Sequence, residues 1–121
     1  MIKTVPIKKN TEFMRVFKKG KFYVGRFIVL YVLPNNLSLN RLGITVSKKV
    51  GKSVTRNRIK RLIKENYRLY EMFIKEGCDC VFTARNCNVQ PGFLEIKKEM
   101  KFLLKKLDIF DREKWDCLKD C

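Results

Sequence analysis

The spacing of apolar residues changes several times along this chain, and each change marks a predicted element. Thr11 is a good N-cap, and Phe13, Val16 and Phe17 share one face of a short helix from Glu12 to Lys19 that Gly20 ends. Lys21 to Leu33 is β-branched and aromatic and reads as one strand. On it Phe27, Val29, Tyr31 and Leu33 point one way and Ile28, Leu30 and Val32 the other, so both faces are covered or one is an apolar binding surface. Pro34, Asn35 and Asn36 signal a loop. Leu42, Ile44 and Val46 then alternate with Gly43, Thr45 and Ser47, a half-buried strand with one polar, open face.

After a turn at Val50–Lys52, a helix is predicted from about Ser53 to Lys75, closed by Gly77. With Ile59 at zero on a wheel of about 100° per residue, Leu62, Ile63, Tyr67, Tyr70, Phe73 and Ile74 lie within about 80° of it. Cys80–Arg85 reads as a strand, Asn86–Gly92 as a loop, and Phe93–Leu107 as a helix with Ile96, Met100, Leu103, Leu104 and Leu107 inward. The predicted class is α+β, an αββαβα two-layer sandwich in which helices pack on a mixed sheet. The strand–helix–strand unit implies a parallel pair joined by a crossover, right-handed by the general rule.

Charge sharpens this picture. From Arg41 to Arg68 there are ten Lys or Arg and one acid, Glu65, within a chain of net charge +16. Asn57, Arg61, Lys64 and Arg68 fall opposite the apolar face of the long helix. Their recurrence every three or four residues is roughly 5 Å of rise, comparable to the spacing of phosphates along a strand. A merely solvated face mixes signs, and this one does not. The expected partner is a polyanion.

Composition removes alternatives. At 121 residues the chain is a single domain, 1–121, with a compact core over about 7–107 and a tail, 108–121, that reads either as a short docked helix or as a loose end. No apolar run approaches a membrane span, and the N-terminus lacks a signal-peptide core, which points to the cytoplasm. Five cysteines without CxxC pairs, and no histidine, argue for free thiols over a zinc site. Without histidine there is no imidazole acid or base. Of the twelve acids, five crowd into the last fourteen residues and none adjoins the basic block except Glu65. A two-metal nuclease needs converging acids. The chain therefore reads as a binder of nucleic acid, with catalytic residues: none.

The same residues carry a resemblance. SKKVGKSVTRNRIKRLIKE, Ser47 to Glu65, is similar to the signature of the bacterial ribonuclease P protein family, in which a KK-[IV]-G turn leads into an Arg-Asn-Arg helix. NTEFMRVFKKG (Asn10–Gly20), RFIVLYVL (Arg26–Leu33), RLGITVSKK (Arg41–Lys49) and DCVFTAR (Asp79–Arg85) agree in order and spacing, so the resemblance spans roughly Ile7 to Leu107. It implies a left-handed βαβ crossover, against the general rule. It further implies a subunit of an endoribonuclease that binds a large catalytic RNA and the single-stranded 5′ leader of precursor tRNA, assisting removal of that leader. The chemistry and the Mg²⁺ ions belong to the RNA, and the protein alone holds no cofactor.

Two surfaces follow from the resemblance. Lys48, Lys49, Lys52, Arg56, Asn57, Arg58, Lys60, Arg61, Lys64 and Arg68 would meet RNA, with Arg56 alternatively bracing the helix start. Phe13, Phe17, Val29 and Tyr31 match the leader-contacting positions, and Thr45 and Ser47 lie on the polar strand face beside them. Aromatic residues suit an unpaired strand because each exposed base offers a face for stacking. Without the resemblance, Phe13 and Phe17 read as ordinary core, and Phe27 and Phe82 are assigned to the core in either case. The rival reading is a general RNA- or ribosome-associated binding module with no part in tRNA cleavage. A stand-alone metal-dependent nuclease and a membrane-surface patch fit less well.

Overall fold

A computed structural model describes residues 4–111. Its elements are β1 (Thr4–Pro6), α1 (Asn10–Lys19), β2 (Lys21–Val24), β3 (Ile28–Pro34), β4 (Asn40–Thr45), α2 (Ser53–Tyr70), β5 (Cys78–Ala84) and α3 (Phe93–Lys106), with single 3₁₀ turns at Lys48–Val50 and Glu71–Phe73. The five strands form one sheet in the order β1-β4-β5-β3-β2. β4 runs parallel to β1 and β5; β3 is antiparallel to β5 and β2. The α+β class, the mixed sheet and the β4–α2–β5 crossover are those expected.

The boundaries differ in instructive ways. The run Lys21–Leu33 is a hairpin, not one strand, because Gly25 and Arg26 turn the chain back on itself. Gly25 N–H donates to Ile28 O at 2.8 Å, and Glu99 of α3 receives the N–H groups of Phe27 and Ile28, each at 2.8 Å, and that of Arg26 as well. A Cβ on residue 25 would sit 2.8 Å from the backbone oxygen of Ile28, which cannot swing aside, so the turn favours glycine. Helix α1 starts at Asn10 with Lys9 as its cap position, which places Thr11 inside the helix rather than at its cap. The long helix ends at Tyr70, five residues early, and β5 starts at Cys78, two residues early.

The folded unit is also wider than 7–107. β1 precedes it, and Ile109 and Phe110, placed in the tail by the sequence, are both 4% exposed. Phe110 bridges to Ile74, and Asp111 N–H donates to Phe73 O at 2.7 Å. The rest of the predicted tail, with Trp115, Cys117 and Cys121, lies outside the described residues.

The two faces of the sheet carry unequal cores. On one, Ile28, Leu30, Cys80 and Phe82 are fully buried beneath α2 and α3, joined by Ile59, Ile63 and Tyr67 of α2 and Ile96, Met100, Leu103 and Leu104 of α3. Phe27 and Phe82 belong to this core, as expected. Asn66, in the middle of the apolar face of α2, is buried with them and donates to Leu62 O (2.9 Å) and Phe93 O (3.3 Å), tying the two helices together. On the other face α1 is the one helix among the described residues, over a small cluster of Ile7, Val16 and Val81. Val16 is the one residue of α1 that is fully buried, and Phe13 and Phe17 add half-buried contacts on the same cluster, so this core is much smaller than the one beneath α2 and α3.

Candidate nucleic-acid interface

The strand registers place side chains of the α1 face in three rows across the sheet. Arg41, Asp79 and Leu33 form one; Gly43, Val81, Tyr31 and Phe22 the next; Thr45, Thr83, Val29 and Val24 the third. Helix α1 lies over the first two. Phe13 packs so closely on Gly43 that a Cβ there would be 2.4 Å from the ring, which explains a glycine in mid-strand. Phe17 meets Tyr31 edge-on with centroids 4.9 Å apart, and Tyr31 meets Phe22 at 5.4 Å. The third row is left uncovered as the floor of a groove, with α1 and its aromatic rings along one side.

Five of the six residues assigned to this groove come together. Val29, Tyr31, Phe13, Phe17 and Thr45 are all half-buried, neither sealed in core nor fully exposed. The sixth, Ser47, is exposed just past the end of β4, where the chain enters the basic turn. Three neighbours were not read from the sequence. Phe22 is 57% exposed beside Tyr31, Val24 is 48% exposed beside Val29, and Thr83 Oγ1 shares a hydrogen bond with Thr45 Oγ1 at 2.9 Å. The signal for the first two was Gly25: a hairpin there puts Phe22 and Val24 on the groove side.

Opposite the floor, α1 is pinned by charge. Arg41 directs Nε and Nη2 at the carboxylate of Asp79 (2.8 and 2.6 Å) and Nη1 at Glu12 of α1. Asn35 donates to the same Asp79 at 2.8 Å. The hydrogen bond to Asp79 is the chief reason the Arg41 guanidinium holds its proton even more firmly than usual. An Asp with one oxygen receiving two donors and the other a third tolerates near-complete burial.

The basic block divides into two kinds of residue. Asn57, Lys60, Arg61, Lys64 and Arg68 are exposed on α2, and Lys48, Lys49 and Lys52 are exposed in the turn before it. Glu65 reaches only 3.9 Å from Arg61, so it neutralises little of that face. The two arginines of the triplet are partly committed within the fold. Arg56 is half-buried and donates to Ser53 Oγ at 3.2 Å, in keeping with the bracing role, and Arg58 donates to Pro91 O at 3.3 Å. Helices α1 and α2 approach each other across the β1–β4 side of the sheet. A cavity of about 420 Å³ there is lined by β1 and the residue after it (Thr4, Val5, Pro6 and Ile7), by Phe13 and Gly43, and by Lys64, Tyr67 and Arg68 of α2.

A groove floored by hydroxyls and aliphatic groups, flanked by aromatic rings and continued by exposed cations, suits a single-stranded polyanion. The family model described as Ribonuclease P matches residues 1–108. The chain belongs to the ribonuclease P protein family. A ribonuclease P protein component from Clostridium botulinum is 51% identical over 106 residues, which are 87% of this chain and 96% of that protein. The ribonuclease P protein of Staphylococcus aureus superposes with a TM-score of 0.81 at 38% identity, covering 89% of this chain and 99% of that one. The Thermotoga maritima ribonuclease P protein gives a TM-score of 0.74 at 29% identity, over 84% and 96%. Membership in this family makes an RNA subunit the partner of the chain.

Proposed function

We propose that this ribonuclease P protein holds the single-stranded 5′ leader of precursor tRNA in the groove beneath α1 while the basic turn and α2 bind the catalytic RNA. The observation that carries the reading is the uncovered row Thr45–Thr83–Val29–Val24 beside Tyr31 and Phe17, a floor open on the face that α1 leaves free. Tyr31, Phe17 and Phe22 would stack on bases with little regard to their identity. The paired hydroxyls of Thr45 and Thr83 donate and accept, which suits sugar and base edges. Lys48, Lys49, Lys52, Lys60, Arg61, Lys64 and Arg68 would neutralise phosphates, and Asn57 would meet a sugar or base edge.

Hydrolysis of the phosphodiester at the mature 5′ end is assigned to the RNA subunit, with the Mg²⁺ ions held there. Among the described residues, the carboxylates on that face, Glu12 and Asp79, are both engaged by Arg41, which leaves them poor ligands for a metal. The protein contributes affinity for the leader and offsets repulsion between phosphates, and it works in the cytoplasm, where its RNA partners are made. The test is reconstitution. Protein and cognate catalytic RNA together should cleave precursor tRNA at lower Mg²⁺ than the RNA alone, and repurified protein without RNA should not cleave. Cleavage by the protein alone would return catalysis to it. Tight RNA binding with no effect on cleavage would favour the general RNA-binding module.

A further inference from the structure

We infer that Arg41 is a positioning residue for the leader: by joining Glu12 of α1 to Asp79 of β5, it fixes how far the aromatic side of the groove stands from its floor. The inference rests on the groove being the leader site. Three observations lead to it. First, α1 buries only Val16 completely, and Phe13 and Phe17 are half-buried on Gly43 and Tyr31, so the apolar contact is a narrow strip about which a charged contact can set the tilt of the helix. Second, the Arg41 side chain is 18% exposed and that of Asp79 3%, so this guanidinium is held in one orientation by strand residues. Its remaining Nη1 points at Glu12, one residue before Phe13, which lies directly on Gly43. Third, α1 is tied to the sheet at both ends, through Gly20 into β2 and through Ile7, whose N–H donates to Leu42 O at 2.9 Å, into β1, so the Glu12 contact sets the tilt of the helix between these anchors. Between them sit Phe13 and Phe17.

Planarity matters here. A guanidinium presents donors in a rigid fork and serves two carboxylates at once, whereas an ammonium at the same site is a single point that must choose between them. Arg41→Lys keeps the charge beside buried Asp79 and thereby the fold, but releases α1. Glu12→Gln and Glu12→Ala release it from the other side. Loss of Glu12 also removes a negative charge from the RNA-binding face, so affinity for any RNA rises slightly. That effect is common to precursor and mature tRNA and cancels in their ratio.

The experiment measures affinity of the reconstituted particle for precursor and for mature tRNA, together with thermal melting of each full-length protein. Arg41→Lys, Glu12→Gln and Glu12→Ala should each lower the precursor-to-mature affinity ratio about three- to tenfold, the scale of one partly buried charged contact. Arg41→Lys placed on Glu12→Ala should add no further loss, because the pair acts as one unit. A ratio unchanged in all three variants, or equal losses for both RNAs, overturns the inference. Tyr31→Ala is run alongside. If it lowers the ratio and the Glu12 and Arg41 variants do not, the positioning role alone fails. If Tyr31→Ala leaves the ratio untouched, the leader groove fails and the positioning role with it.

Discussion

Tyr31→Ala removes the ring at the centre of the groove. Two ring contacts go with it, to Phe17 at 4.9 Å and Phe22 at 5.4 Å. Each such contact contributes about 0.5–1.5 kcal/mol beyond the area that the half-buried ring removes from water, so a stability loss of roughly 2–4 kcal/mol is expected. That is smaller than the ~5–15 kcal/mol that usually holds a domain together, and the protein stays folded. If a leader base stacks on the ring, its loss costs a further ~1–3 kcal/mol of affinity for precursor tRNA, roughly 5- to 150-fold. Mature tRNA offers no leader and should bind unchanged. Fluorescence-anisotropy titrations of both RNAs against the reconstituted particle give the ratio, and Tyr31→Phe, which keeps the ring and drops the hydroxyl, should sit close to the parent. Equal weakening of both RNAs, with a large fall in melting temperature, would make Tyr31 a core residue and end the argument for stacking.

Three further outcomes are expected. Replacing Arg61, Lys64 and Arg68 together with alanine should leave melting unchanged and flatten the log-affinity against log-salt slope by about 2–3, one step of ~0.7–0.9 per lost phosphate contact; an unchanged slope would remove this helix face from the interface. Glu99→Gln replaces a carboxylate that receives three backbone N–H groups with an amide that places a donor against them. It should destabilise the protein by about 2–4 kcal/mol in denaturant melts and loosen the β2–β3 turn in hydrogen exchange. Finally, burial raises the pKa of Tyr67 above its ordinary 10.0 and of Cys80 above 9.0. Both groups are neutral when protonated, so the unfolded chain releases these protons first. Their contribution is complete below about pH 9 and is lost progressively as pH rises beyond 9–10, giving an alkaline unfolding transition. Stability rising between pH 9 and 11 would contradict this.

What could be read in advance was local. The apolar face of α2 emerged residue by residue, because a period of 3.6 sustained over five turns leaves little ambiguity. Asn66 was overlooked on that face, since only the approach of Phe93 O explains an amide there. The hairpin was hidden because strand chemistry on both sides of Gly25 and Arg26 outweighed that single glycine, and the turn is held by Glu99 from far along the chain. β1 is three residues long with Pro6 at its end, and it exists only through pairing with β4. Ile109 and Phe110 sit between Asp108 and Asp111 and looked like tail; their partners are Leu104, Ile74 and Lys75. The groove was found through its aromatics, whereas Phe22, Val24 and Thr83 needed a register. Register is a relation between distant segments, and no single window of sequence contains it.

That distance bears on how the chain is made. β5 occupies the middle of the sheet, yet it is the last strand among the described residues. Its neighbours β3 and β4 do not pair with each other, so each waits for residues 78–84 to fill the space between them. Only the β2–β3 hairpin closes locally. At ~5–20 residues per second, the ribosome spends several seconds extruding α1, the hairpin, β4 and the cationic helix before the strand that unites them exists. A product cut short at Gly77 would carry the whole RNA-attracting helix with no closed sheet behind it, a chain able to cling to polyanions and unable to fold on them.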